Sequence, residues 1–224
     1  MLAHLVTRDQ LPKFLGGSTT HHIVLLDDSY SMADQSGSRS AFDRANQVLT
    51  QLANRAMSQD SLQKFSVIRF SRAASTRGAA DADPDAAGSA SEPGEPLDQL
   101  LGQIADVHAV RVDTDFDVLL EDRRRAVGVS QLAVGPTDAL SLSAQIIEQS
   151  PNERSEVYLV SDFRSAQWDA PTEAEAALLR LEEAGAQVHL VRCVEREHAN
   201  LAITQLQPAE GIRAAGVPLF IDVS

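Results

Sequence analysis

The chain has 224 residues, 43% of them hydrophobic, which suffices for one substantial α/β domain with a little left over and falls short of two full domains. A formal net charge of -13 excludes the basic surface that a nucleic-acid partner demands and favours cations or basic partners instead. Without an 18-residue apolar run or a signal-peptide core at the start, the chain is expected neither to span a membrane nor to show its own export signal.

Residues 1–19 carry scattered apolar side chains, Pro12 and the pair Gly16 and Gly17, and read as a lead-in with one short helix around Leu11 to Leu15. His21 and His22 are neighbours on an expected strand, so they face opposite ways and do not share an ion. The aliphatic run Ile23 to Leu26 then predicts a strand buried on both faces, as in parallel sheets covered by helices. It stops abruptly at Asp27, Asp28, Ser29, Tyr30 and Ser31. Ligands of open α/β sheets collect beyond the carboxyl ends of their strands. The Asp-x-Ser-x-Ser spacing there offers one carboxylate and two hydroxyls, hard oxygen donors suited to Mg²⁺ or Mn²⁺. Alternatively, Asp27 and Ser29 only cap the turn into the next helix.

After a polar loop from Ala33 to Ser40, the pair Ser40 and Asp43 reads as a capping box. It opens a helix whose Phe42, Ala45, Leu49, Leu52 and Ala56 form one face, ending near Met57. Phe65 to Phe70 predicts a second strand. Residues 73–96 are rich in alanine, glycine, serine, proline and acids with few aliphatics, and are expected to be an acidic, disordered loop. Asp81, Asp83, Asp85, Ser89 and Glu92 approach a calcium-loop pattern, but Ala86 stands where that loop requires glycine. Leu97 to Ile104 predicts a short helix, Val107 to Val112 an edge strand and Phe116 to Val127 a helix carrying Arg123, Arg124 and Arg125, whose stems cover the sheet and whose heads find local acids.

Leu132 to Thr137 places a hydroxyl after a glycine turn and just before a helical run with Leu140, Ala144 and Ile147 in one row; Thr137 reads either as a ligand or as that helix's N-cap. Val157 to Asp162 repeats the design of the first strand, an apolar run ending in an acid. Trp168 is expected to staple the following loop to the core. Thr172 and Glu175 read as a capping box for a helix that Gly185 ends, followed by a strand from Val188 to Val194. Cys193 lies in that apolar run as a small hydrophobe, and as the single cysteine it has no internal disulfide partner. Residues 196–224 contain two strand-like runs, Leu201 to Leu206 and Val217 to Val223, which read as the start of a truncated β-sandwich domain or as edge strands.

Taken together, Asp27-x-Ser29-x-Ser31, Thr137 and Asp162 resemble the von Willebrand factor type A domain with its metal-ion-dependent adhesion site, over roughly residues 20–195. The segments His-His-Ile-Val-Leu-Leu-Asp-Asp-Ser-Tyr-Ser-Met and Ser-Asp-Phe-Arg are similar in wording to such domains in large bacterial membrane proteins related to the Bat aerotolerance group. The resemblance implies a doubly wound, mostly parallel sheet flanked by helices. It also implies direct metal ligation by Ser29, Ser31 and Thr137, with Asp27 and Asp162 holding one Mg²⁺ or Mn²⁺ directly or through water. Two positions depart from the family pattern: Pro136 directly precedes Thr137, and Phe163 replaces the glycine often found after the last aspartate.

The expected function is therefore a metal-dependent protein-interaction module rather than an enzyme. Its partner would offer an acidic side chain to the ion, and the chain would be the soluble part of a membrane-anchored protein. A metal-free scaffold domain is the first alternative. A Mg²⁺-dependent phosphoryl-transfer enzyme is the second, although Ser29 stands where its nucleophile motif has an aspartate, and both the phosphate-cradling Gly-rich loop and the Gly-x-Ser-x-Gly elbow of hydrolases are missing.

Overall fold

Strand β1 (Thr20–Leu26) is buried along its whole length and forms the middle of a five-stranded sheet. The structure, a computed structural model, describes residues 19–36, 38–80, 97–164, 168, 171–194, 206–208 and 221–223. On one side β1 pairs in parallel with β4 (Gln63–Arg69), and on the other with β6 (Arg154–Ser161). The outer strands are β5 (Val107–Arg111), antiparallel to β4, and β7 (Gln187–Arg192), parallel to β6. The short strands β2 (Gln35–Ser36) and β3 (Arg39–Ser40) pair with each other in the loop after β1.

Because side chains alternate across a strand, the two faces of β1 feed two separate cores. Val24 and Leu26 join Phe65, Val67, Tyr158 and Val160 beneath α1 (Ala41–Met57) and α4 (Phe116–Arg125). Ile23 and Leu25 join Ile68, Val157 and Leu159 on the opposite face. That face is covered by α2 (Phe70–Ala80), α3 (Leu97–Ile104), α5 (Thr137–Gln149) and α6 (Pro171–Glu183). With apolar surface buried at roughly 25 cal/mol per Å², this double covering is what holds the strands in a mostly parallel order. The chain is thus an α/β protein with a doubly wound, Rossmann-like sheet.

Helix α1 opens as its sequence requires: the Ser40 hydroxyl accepts from Asp43 N while the Asp43 carboxylate accepts from Ser40 N. Helix α6 closes on Gly185 at φ +81, with Ala186 N bonded to Leu181 O and Gly185 N to Glu182 O. Its start differs from expectation, because Pro171 takes the first helical position and puts Thr172 and Glu175 inside the helix.

The larger correction concerns the loop expected at 73–96. Its first part, through Ala80, belongs to α2, and Ala73 is fully buried beside Phe70. Composition missed the cause, which lies elsewhere in the chain. Asp28, beyond the end of β1, accepts hydrogen bonds from both the backbone N and the hydroxyl of Ser71, and so caps the first turn of α2 from a distance. Residues 81–96, with the calcium-like pattern, lie outside the described residues, as do the lead-in helix at 11–15 and most of the tail. Within the tail, β8 (Leu206–Pro208) and β9 (Ile221–Val223) pair antiparallel in a sheet of their own. Among the described residues no helix is long and apolar enough to cross a membrane.

Candidate metal centre

The sheet order places β4 on one side of β1 and β6 on the other, so the crevice between the ends of β1 and β6 is the topological switch point where ligands of such folds bind. Asp27 and Asp162 follow those two strands. The ladder runs one step past the strand ends: Asp27 N donates to Val160 O at 2.9 Å, and Cys193 N donates to Ser161 O at 2.9 Å.

Asp27 is fully buried and its carboxylate is held from three directions. Oδ1 accepts from Ser29 N at 3.0 Å and from Ser29 Oγ at 2.6 Å, and Oδ2 accepts from Ser161 Oγ at 2.6 Å. Ser29 Oγ lies 3.1 Å from Ser31 Oγ, within a short 3-10 turn over Tyr30–Ala33. Burial pushes the Asp27 carboxyl above its ordinary range, and the charge of Asp162 adds to that push, against the opposing bonds from Ser161 and Ser29. Two acids crowded in a dry crevice call for a cation.

Asp162 is buried too, and here the accounting does not close. Its Oδ1 accepts from Arg164 N at 3.3 Å, whereas buried Oδ2 has no hydrogen bond among the described residues. Arg164 Nε stands 3.0 Å from Oδ2 as an ion contact, but its N–H is not directed at the oxygen. A buried carboxylate oxygen without a directed donor is rare and costly. It suits a hard cation, and with Asp27, Ser29 and Ser31 it supplies the oxygen donor set that Mg²⁺ or Mn²⁺ accepts. Among the described residues no group of three or more His, Cys, Asp or Glu side chains is arranged to hold a metal; this set has two carboxylates and relies on hydroxyls for the rest.

Thr137 stands at the first position of α5, behind Pro136 at the N-cap, where no side chain caps the helix. Thr137 is therefore not the N-cap, which removes the simplest alternative use of its hydroxyl. The loop leading to Thr137 is fastened at the crevice, where Ser130 N donates to Asp28 O at 2.6 Å. Four of the five sequence candidates thus gather around one crevice, and the fifth begins the helix that follows a loop tied to it.

No family model matches the chain, and no curated protein matches it.

Two functional side chains, Ser161 and Asp28, escaped the sequence reading, and a third, Phe163, stood there only as a departure from the family pattern. Ser161 is fully buried; besides bonding Asp27, its hydroxyl accepts from Phe163 N at 3.0 Å and so ties the first acid to the turn carrying the second. Phe163 takes φ +56, the left-handed region that a glycine would occupy without strain, and stacks on Trp168 with ring centroids 5.3 Å apart. The expected staple by Trp168 is thus present, and it secures the turn after Asp162. Asp28 faces away from the crevice and joins Arg69, whose guanidinium makes a two-pronged pair with Asp106 at 2.8 and 2.9 Å. Register was the available signal for Ser161, because a parallel partner of Leu26 at Val160 sets Ser161 opposite Asp27.

At the other end of the sheet the histidines are structural. His22 Nε2 lies 2.7 Å from Gln63 Oε1, and His21 Nε2 lies 2.9 Å from Ser66 Oγ on the opposite face. Cys193 is buried near the acids, and burial pushes its thiol up to about 12. It is a poor nucleophile there.

Proposed function

We propose that this chain is a von Willebrand factor type A-like interaction module in which Asp27, Ser29, Ser31, Thr137 and Asp162 bind one Mg²⁺ or Mn²⁺. The observation that carries the reading is the pair of buried carboxylates across the switch point, one braced by serine hydroxyls and the other leaving an oxygen without a directed donor. Three hydroxyls and two acids give fewer than the six ligands that Mg²⁺ prefers, so water completes the shell. An acidic side chain of a partner protein exchanges for that water. The ion supplies the affinity for this carboxylate, and Ser29 and Ser161 fix Asp27 beside it. With a formal charge of -13 on the chain, the partner presents its acid from a neutral or basic surface. On this reading the module serves a larger membrane-anchored assembly and performs no chemistry of its own.

Isothermal titration with Mg²⁺ and Mn²⁺ on the wild type and on Asp27→Ala tests the reading. One site in the wild type, lost in the variant, supports it; equal heats in both place the ion elsewhere. A metal-free scaffold is favoured by a different observation, that Pro136 takes the N-cap position directly before Thr137. Pull-down of a partner that survives both EDTA and Thr137→Ala would establish that role.

A further inference from the structure

The cation already facing Asp162 is a side chain of the chain itself. Arg164 reaches back with Nε 3.0 Å from Asp162 Oδ2 and with Nη2 on Asp34 Oδ2, while its backbone N bonds Asp162 Oδ1. Asp34 ends the 3-10 turn that carries Ser31; its N donates to Ser31 O and its O accepts from Ala41 N, both at 3.0 Å. One guanidinium therefore clasps the two loops of the candidate centre together, the loop after β1 and the turn after β6. The Asp162 side chain is fully buried, whereas those of Arg164 and Asp34 keep about a quarter and a third of their surface in solvent, at 27% and 38%. The clasp thus has a buried end and a wet end.

We propose that Arg164 is an internal competitor for the metal and sets its affinity by occupying Asp162. This rests on the metal reading given above. A guanidinium and a divalent ion on the same carboxylate oxygen repel each other. At a separation of a few ångströms this repulsion exceeds the roughly 1.4 kcal/mol that corresponds to a tenfold change in a binding constant, even in a partly solvated site. One of them must leave. Nε contributes proximity without a directed hydrogen bond, so its hold on Asp162 is the weaker arm of the clasp, and Asp34 at the wet end is the anchor on which the guanidinium stays. Asp34 thereby favours the exchange, since it offers Arg164 a place other than Asp162. Arg164 is a positioning residue in this scheme and is not a metal ligand.

The two ends of the clasp carry opposite signs, which a purely structural role does not produce. Arg164→Gln removes the competitor and is expected to tighten Mn²⁺ binding roughly tenfold. Asp34→Asn removes the anchor, leaves the guanidinium to Asp162 and is expected to weaken binding several-fold. Mn²⁺ affinities measured by electron paramagnetic resonance and by titration calorimetry on the full chain read both effects directly, with circular dichroism confirming that each variant is folded. Asp34→Asn is the second handle should Arg164→Gln unfold. Equal affinities, or weaker binding in Arg164→Gln, overturn the competitor role while leaving the metal site standing. If the wild type and both variants bind no ion, the metal reading falls and this inference falls with it.

Discussion

Lowering the pH should weaken this fold through one imidazole. His21 is 2% exposed on the face of β1 that meets α2 and α5, and its Nε2 lies 2.9 Å from Ser66 Oγ. That hydroxyl accepts from Ala109 N at 2.8 Å and can still donate its own proton to the imidazole, a bond open only to the neutral ring. Burial is the main cause that lowers the His21 pKa from 6.5 to about 4, and the Lys64 ammonium adds to it. The carboxylate of Glu153 does not offset this: it is 3.8 Å from Nδ1 and already paired with Lys64. Because the folded value lies below the unfolded one, the contribution is complete above about pH 6.5. It is lost as the unfolded chain takes up its proton between about pH 6.5 and 4. At 1.36 kcal/mol per unit, acidification to about pH 4.5 costs about 2–3 kcal/mol. Urea unfolding of the wild type and of His21→Gln, whose amide can still accept from Ser66, isolates this one group from the carboxylates that titrate alongside. The wild type should lose about 2–3 kcal/mol more than the variant between about pH 7.5 and 4.5. Parallel curves would refute the buried neutral imidazole.

Asp28→Ala removes the distant cap of α2 and the second acid facing Arg69, which keeps its two bonds to Asp106, so it should cost about 2 kcal/mol in chemical unfolding; a loss under about 0.5 kcal/mol would mean that the distant cap contributes nothing. Ala73→Asp places a charge in a fully buried helix position and should cost more than about 2 kcal/mol. A mobile loop there would tolerate it. The Cys193 thiol, buried and pushed up to about 12, should stay unreactive toward a disulfide reagent at neutral pH until the chain unfolds; rapid native labelling would contradict its burial.

The sheet was legible because apolar runs such as Ile23 to Leu26 and Val157 to Val160 carry their own signal, and the capping box at Ser40 and Asp43 marked α1 to the residue. The carboxylate ends of β1 and β6 were legible for the same reason: an acid interrupts a buried strand. What the chain did not announce locally was anything decided by contact across it. Helix α2 is held at its first turn by Asp28, some forty residues earlier, and no window around Ala73 contains that contact. Ser161 looks like an ordinary strand-end serine until register sets it against Asp27. Arg164 and Asp34 meet only after β1 and β6 lie side by side, so their ion pair has no sequence signature. The departure at Phe163 was visible as a missing glycine; its consequence, a left-handed backbone fastened by Trp168, needed the fold.

The central claim is that a divalent cation belongs between Asp27 and Asp162, and thermal unfolding with and without Mg²⁺ tests it most directly. An ion that binds only the native state at 100-fold excess over its dissociation constant adds about 2.7 kcal/mol. For a chain of this size that amounts to roughly 5–10 °C in Tm. The wild type should show this rise with Mg²⁺ or Mn²⁺ and lose it with EDTA, and Asp27→Ala should show no rise at all. An unchanged Tm in the wild type, or an equal rise in Asp27→Ala, would contradict the account.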